Sequence, residues 1–228
     1  MKILFLIISG ADDVICADRA VLYKSMYSLS RLYYEKMKTI YDLEYFYVEY
    51  KEKMEKEVEI KNDIIYLKGK EIFTKIYDKT IKALNYINTN YTYDYLVRTN
   101  ISSFWNIHNL YKTALEFPSQ KCLTGVVVFN SFITGTGIIM SKDVCETLAA
   151  QPLNQTVQCE DVYISEVLNP IYKIQHMNQS AMHFLISGEN NNVIPQNKEE
   201  ILYYRIKNSG TEDIRLFKLL LAELYDLH

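Results

Sequence analysis

The sequence predicts an α/β fold with a mostly parallel central sheet flanked by helices. Three observations carry that expectation. Short apolar runs alternate with amphipathic helical stretches through the first half of the chain. The first run, Ile3-Leu4-Phe5-Leu6-Ile7-Ile8, is apolar at every residue, as a strand buried on both faces must be. No internal repeat, linker or composition break divides the 228 residues, so a single domain over 1–228 is expected.

The elements follow in order. Residues 2–8 read as a first strand rather than a signal h-region, because the apolar run is short and Asp12-Asp13 follow closely. Asp18 is placed to cap a helix over 18–41, with Leu22, Met26, Leu29 and Leu32 or Tyr33 on one face. Residues 43–49 alternate as a strand. Residues 51–62 are dense in Lys and Glu and read as a solvated loop or exposed helical turn. A short strand is expected at 64–67, a helix at 73–87 and a strand at 93–97. The second half is less regular: strands at 123–129 and 137–140, helices at 142–150 and 161–168, extended runs at 171–174 and 181–186. Residues 187–198 form a polar loop, and 213–227 a last helix whose Ile214, Phe217, Leu220, Leu221 and Leu224 make a core-facing stripe.

Composition narrows the function classes. The formal net charge is −3, which argues against nucleic acid as the main partner. The four cysteines are scattered without a Cys-x-x-Cys pair, so neither a disulfide framework nor a zinc site is supported, and buried free thiols are expected. No apolar run reaches the ~18 residues a membrane span needs; a cytoplasmic protein is the expectation, in the host cytoplasm if the source is viral. Heavy use of Lys, Ile, Asn and Tyr (20 Tyr) hints at an AT-rich genome, such as that of a large virus or a protist.

The strongest chemical signal lies in the second half. Phe132-Ile133-Thr134-Gly135-Thr136-Gly137 reads as a glycine-kinked loop running into an apolar strand, and Glu160-Asp161-Val162 puts two adjacent acids at a helix start. Glycine permits close backbone approach to a ligand, and a carboxylate beside it offers a base. The alternative for the acids is simple helix capping.

The order of these pieces resembles the GT-A nucleotide-sugar glycosyltransferases, in particular the β1,3-galactosyltransferase/Fringe-like group and GT-A enzymes of large DNA viruses. The resemblance covers roughly 63–187. It rests on Lys79-Thr80-Ile81 in a helix before the strand at 93–97, on Arg98-Thr99-Asn100-Ile101-Ser102-Ser103-Phe104-Trp105, on the Gly-Thr-Gly strand, and on Glu160-Asp161-Val162. It implies a GT-A-like (Rossmann-like) domain that inverts configuration while moving a sugar from a UDP- or other nucleoside-diphosphate donor to a hydroxyl of a glycan or glycoprotein acceptor. Asp161 would be the general base and Glu160 an orienting group. Ser9, Gly10, Asp12, Lys79, Arg98, Asn100 and Ser102 would line the donor side. Gly135, Thr136, Gly137 and Trp105 would line the acceptor side, Trp105 stacking on a sugar ring unless it is core.

One departure matters. The family carries Asp-x-Asp at the end of the central strand to hold Mn²⁺ or Mg²⁺ on the donor diphosphate, and here Asn100-Ile101-Ser102 stands there. Neutral oxygens contribute no charge to a hard cation. Either Asn100, Ser102 and His183 hold a weakened metal together with the diphosphate, or protein cations replace it, with Arg98, Lys75 and Lys79 as candidates. For Arg98 a structural ion pair is the alternative. Loss of the acid pair also leaves open a degenerate domain that binds a sugar nucleotide or a partner without turnover. A nucleotidyltransferase would want a basic glycine-rich loop after the first strand, where Ser9-Gly10-Ala11-Asp12-Asp13 is acidic.

Overall fold

A computed structural model describes residues 1–9, 17–154, 156–176, 183–186, 201–206 and 211–225. Its centre is an eight-stranded sheet of order β3-β4-β2-β1-β5-β8-β7-β9. The strands are β1 (Ile3–Ile8), β2 (Leu43–Lys51), β3 (Val58–Lys61), β4 (Ile64–Lys68), β5 (Tyr95–Asn100), β7 (Leu123–Val128), β8 (Phe132–Ser141) and β9 (Gln175–His176). The pairs β4/β2, β2/β1, β1/β5 and β7/β9 are parallel, while β3, β8 and their neighbours pair antiparallel.

The connections locate the functional end of the sheet. Helix α1 (Ala17–Lys38) carries the chain from β1 to β2 on one side, and α2 (Ile76–Asn90) carries it back past β1 to β5 on the other. Right-handed crossovers that move in opposite directions must lie on opposite faces. They do. Met26, Tyr33 and Met37 of α1 share a core with Phe5 and Ile7, whereas Tyr77, Ile81 and Leu84 of α2 share a second core with Leu4 and Leu6. Helices α3 (Ile107–Ala114) and α6 (Thr211–Tyr225) join the first core, and α4 (Lys142–Ala149) and α5 (Glu160–Leu168) the second. The chain reverses direction between β1 and β5, so the crevice beyond the carboxyl ends of those two strands is where an open α/β sheet binds ligands. Ser9 and Asn100 lie there.

A second sheet, β10-β11-β6, caps this end; β6 is Ser103–Trp105, β10 His183–Ile186 and β11 Tyr203–Ile206. After Asn100 the chain turns through Ile101-Ser102 and leaves the main sheet, pairing β6 antiparallel with β11. Sequence patterns give no notice of β6, α3 or β11, which are short and paired non-locally.

Several expectations change. Residues 171–174 pass through a turn and bend rather than an extended run, and Cys159 is exposed while Cys122 and Cys145 are buried. Gly135 and Gly137 do not kink a loop: they lie inside the continuous strand β8. Residues 51–62 hold the edge strand β3, whose Val58 and Ile60 alternate with exposed Glu59 and Lys61; charge on an edge discourages further pairing. Asp18 falls within α1 rather than before it. The polar loop at 187–198 lies outside the described residues.

Candidate active site

Two clusters meet where β5 ends beside the middle of β8. The first is built on Glu160 and Asp161, adjacent in the first turn of α5. Glu160 turns inward and is 9% exposed. It forms a buried ion pair with Arg98, whose Nε lies 3.2 Å from its Oε1 and whose Nη2 donates to Oε2, and it also accepts the Thr80 hydroxyl. Burial pushes the Glu160 carboxyl upward; Arg98 and the Thr80 hydroxyl pull it back. Asp161 remains partly exposed. Its Oδ2 accepts the Gly135 N–H at 2.9 Å and its Oδ1 the Val162 N–H at 3.0 Å. Gly135 makes this approach possible, because a Cβ there would sit 3.0 Å from Arg98 Nη1 and 3.3 Å from Asp161 Cβ. Neither acid caps α5 by the usual route, since the cap position is Cys159 and has no side-chain cap bond.

The second cluster is built on Asn100. Its Oδ1 is reached by Ser102 Oγ at 3.0 Å, Ser103 Oγ at 3.1 Å and Arg205 Nη1 at 2.6 Å. A guanidinium only donates, so Arg205 fixes which amide atom faces it. Ser103 Oγ also lies 3.1 Å from the Thr136 carbonyl, which accepts Thr99 Oγ1 at 2.7 Å. Thr136 Oγ1 meets the Tyr203 hydroxyl at 2.6 Å. Residues 135 and 136 thus tie Asp161 and Asn100 to the same end of the sheet.

Several expected ligand contacts are occupied by the protein itself. Arg98 is 3% exposed and its charge is matched by Glu160, so it forms the structural ion pair rather than facing a diphosphate. Lys79 is 1% exposed, bonded to Glu71 at 2.5 Å and to the Ser9 carbonyl at 2.7 Å; burial pulls its pKa down against the field of Glu71. Its charge too is met from within, and it pins the chain at the end of β1. Trp105 is wholly buried, stacked on Tyr203 at 4.5 Å between centroids and bonded to Thr99 Oγ1 at 2.9 Å. It is core, not a platform for sugar. Gly137 serves that packing, since a Cβ there would lie 2.7 Å from Trp105 Cζ2. Gly10 and Asp12 lie outside the described residues, and His183 is described only as part of β10.

The same geometry tests for a divalent cation. The amide oxygen at this position, Asn100 Oδ1, already accepts a cationic donor, which a metal bound there would have to displace. Among the described residues no three His, Cys, Asp or Glu side chains converge as a metal site. Asn100 Oδ1 is already engaged by Ser102, Ser103 and Arg205. Arg205 and Tyr203 went unread in the sequence because only the non-local β6–β11 pairing brings them here.

No protein-family model matches the chain, and no curated protein matches it. Its structure does find a match. A solved structure described as that of a glycosyltransferase involved in the glycosylation of the major capsid of PBCV-1 superposes with a TM-score of 0.58 at 12% identity, covering 96% of this chain and 100% of that one. The two share a fold. No described helix is long and apolar enough to cross a membrane.

Proposed function

We propose that this chain is a nucleotide-sugar glycosyltransferase of the GT-A type, transferring a sugar with inversion to a hydroxyl of a glycan or glycoprotein. The observation that carries the reading is the split between two neighbouring acids. Glu160 is spent inside the fold, while Asp161 is held half-open by the Gly135 N–H at the end of the sheet where open α/β folds take ligands. A carboxylate so placed can take the proton of an acceptor hydroxyl. The hydroxyl oxygen attacks the anomeric carbon, and the bond from that carbon to the diphosphate oxygen breaks. The electron pair leaves with the nucleoside diphosphate, and the proton goes to Asp161. Glu160, through Arg98 and the Gly135 carbonyl, sets the strand on which Asp161 rests. It is a positioning residue, not a second base. The shared fold supports the donor class, and the sheet end supports the placement.

Binding without turnover is the competing reading, and the neutral Asn100–Ser102 pair favours it. A panel of UDP-, GDP- and other nucleotide sugars separates the two. A donor at 100 times its Kd should stabilise the fold by about 2.7 kcal/mol and raise the melting temperature. The same donors should then release nucleoside diphosphate. Stabilisation without release favours the binding reading, and no stabilisation by any nucleotide sugar overturns both.

A further inference from the structure

We propose that the β7–β8 hairpin holds the acceptor glycan, with the Phe129 ring at its tip stacked on the apolar face of a sugar beyond the one that reacts. This rests on the glycosyltransferase reading above and adds to it a subsite for the acceptor.

Strand β8 runs antiparallel to both β5 and β7, so β7 ends at the same edge of the sheet as Asn100. The turn at Phe129 and Asn130 therefore projects beyond the carboxyl end, where Asp161 stands. Two bonds brace the returning strand against α5. Ser165 Oγ accepts the Ile133 N–H at 3.0 Å, and Asp161 Oδ2 accepts the Gly135 N–H at 2.9 Å. Phe132 pairs with Val128, next to Phe129, and from Phe132 to Gly135 the chain spans at most about 11 Å. The ring and the base are carried on one braced element, an oligosaccharide's length apart.

Backbone strain singles out Phe129. Its φ is 52° and that of Asn130 is 53°. Glycine and asparagine take such angles at little cost, whereas a bulky side chain there is an outlier. Strain of this kind gathers at ligand sites. Packing gives the ring no other purpose, since it is 89% exposed. Chemistry then names the ligand. A sugar ring presents C–H groups on one face, which suit the negative face of an aromatic ring, and hydroxyls around its edge. The turn offers partners for both. Phe129 and the half-buried Phe132 supply rings, and the exposed Asn130 and Ser131 between them supply polar groups. Toward Asp161 follow the half-buried Thr134 and Thr136, whose hydroxyls lie 3.3 Å apart. A protein interface would want a contiguous apolar patch, and Asn130 and Ser131 interrupt this one.

The test is binding of the whole chain to a printed array of defined mono- to tetrasaccharides, for the native protein, F129N and F129W. Asparagine adopts the left-handed angle readily, so F129N removes the ring without a cost in folding, and thermal melting checks this. F129W keeps a ring. Because the single native tryptophan, Trp105, is wholly buried, the variant also gains an exposed fluorophore. The native protein should bind a set of saccharides longer than one sugar. F129N should bind them roughly 10-fold more weakly, the worth of a ring contact and the apolar area it covers. F129W should bind as tightly as the native protein, and its emission should shift to the blue as the same saccharides are added. F129N binding as tightly as the native protein, or a native protein that binds no saccharide, overturns the subsite. So does Phe129-dependent self-association, or Phe129-dependent binding to phosphatidylcholine vesicles, in place of saccharide binding. Melting of the native protein with nucleotide sugars separates the two claims. Donor stabilisation with saccharide binding that ignores Phe129 removes the subsite and leaves the glycosyltransferase reading standing. Ring-dependent saccharide binding without stabilisation by any nucleotide sugar leaves a glycan-binding hairpin and removes the transferase.

Discussion

Glu160 and Asp161 are neighbours in sequence with opposite environments, and that contrast sets what their substitution should do. Glu160→Gln leaves Arg98 buried without its counter-charge. Breaking one side of a buried pair costs about 3–5 kcal/mol, so urea unfolding of the variant should show a midpoint well below the native one. An unchanged midpoint would mean that water already screens the pair. Asp161→Asn retains an acceptor for the Gly135 N–H and should change stability by less than about 1 kcal/mol. The sequence displays the acid pair but not its division. Which acid turns inward depends on Arg98 and Thr80, which approach from β5 and α2 and are not adjacent to the pair in the chain.

The hairpin between β7 and β8 shows what an element stores. Phe129 and Asn130 have φ of 52° and 53°, and the Ser131 N–H closes the turn on the Val128 carbonyl at 3.0 Å. This left-handed pair is what a two-residue hairpin turn needs, yet Asn-Gly is the usual choice. Phe129 is 89% exposed, so packing does not offset its backbone strain. A left-handed L-residue costs roughly 1–2 kcal/mol, part of which Gly returns as unfolded-chain entropy. Phe129→Gly should therefore raise the unfolding free energy by up to about 1 kcal/mol, read by thermal melting. A lower melting temperature would show that the ring is held by something that outweighs the strain. The apolar runs announce β7 and the far half of β8, at 137–140. The glycines of β8 suggest a loop in sequence, but their role is steric, making room for Arg98 and Asp161 at Gly135 and for Trp105 at Gly137. Strand β3 was hidden by its charge, although its two-residue alternation was present.

At the scale of the molecule, the alternating strands and helices of the first half were readable because each element announces itself locally. The second sheet was not, because β6 becomes a strand only when β11 returns to pair with it. The tyrosine-rich interior has a consequence of its own. Burial raises Tyr77, Tyr203 and Tyr204 to about 12 from an ordinary 10, and Cys122 and Cys145 to about 12 from 9. Groups whose folded value lies above the unfolded one contribute stability that is complete below the unfolded value and is lost as pH rises toward the folded one. Lys79, pulled down by burial, works in the opposite sense but is a single group. Stability to urea should therefore hold to about pH 9 and fall steeply between pH 9 and 12; a flat profile across that window would contradict the burial described here. The central claim, that the end of β5 is a sugar-transfer site with Asp161 as its base, is tested most directly by the rate of nucleoside diphosphate release. The native protein and Asp161→Asn should be compared with the donor affinity of each measured alongside. Release should fall by roughly 10²–10⁴ in the variant at nearly unchanged affinity, because the loss lies in the transition state. Near-native release by Asp161→Asn would contradict the account.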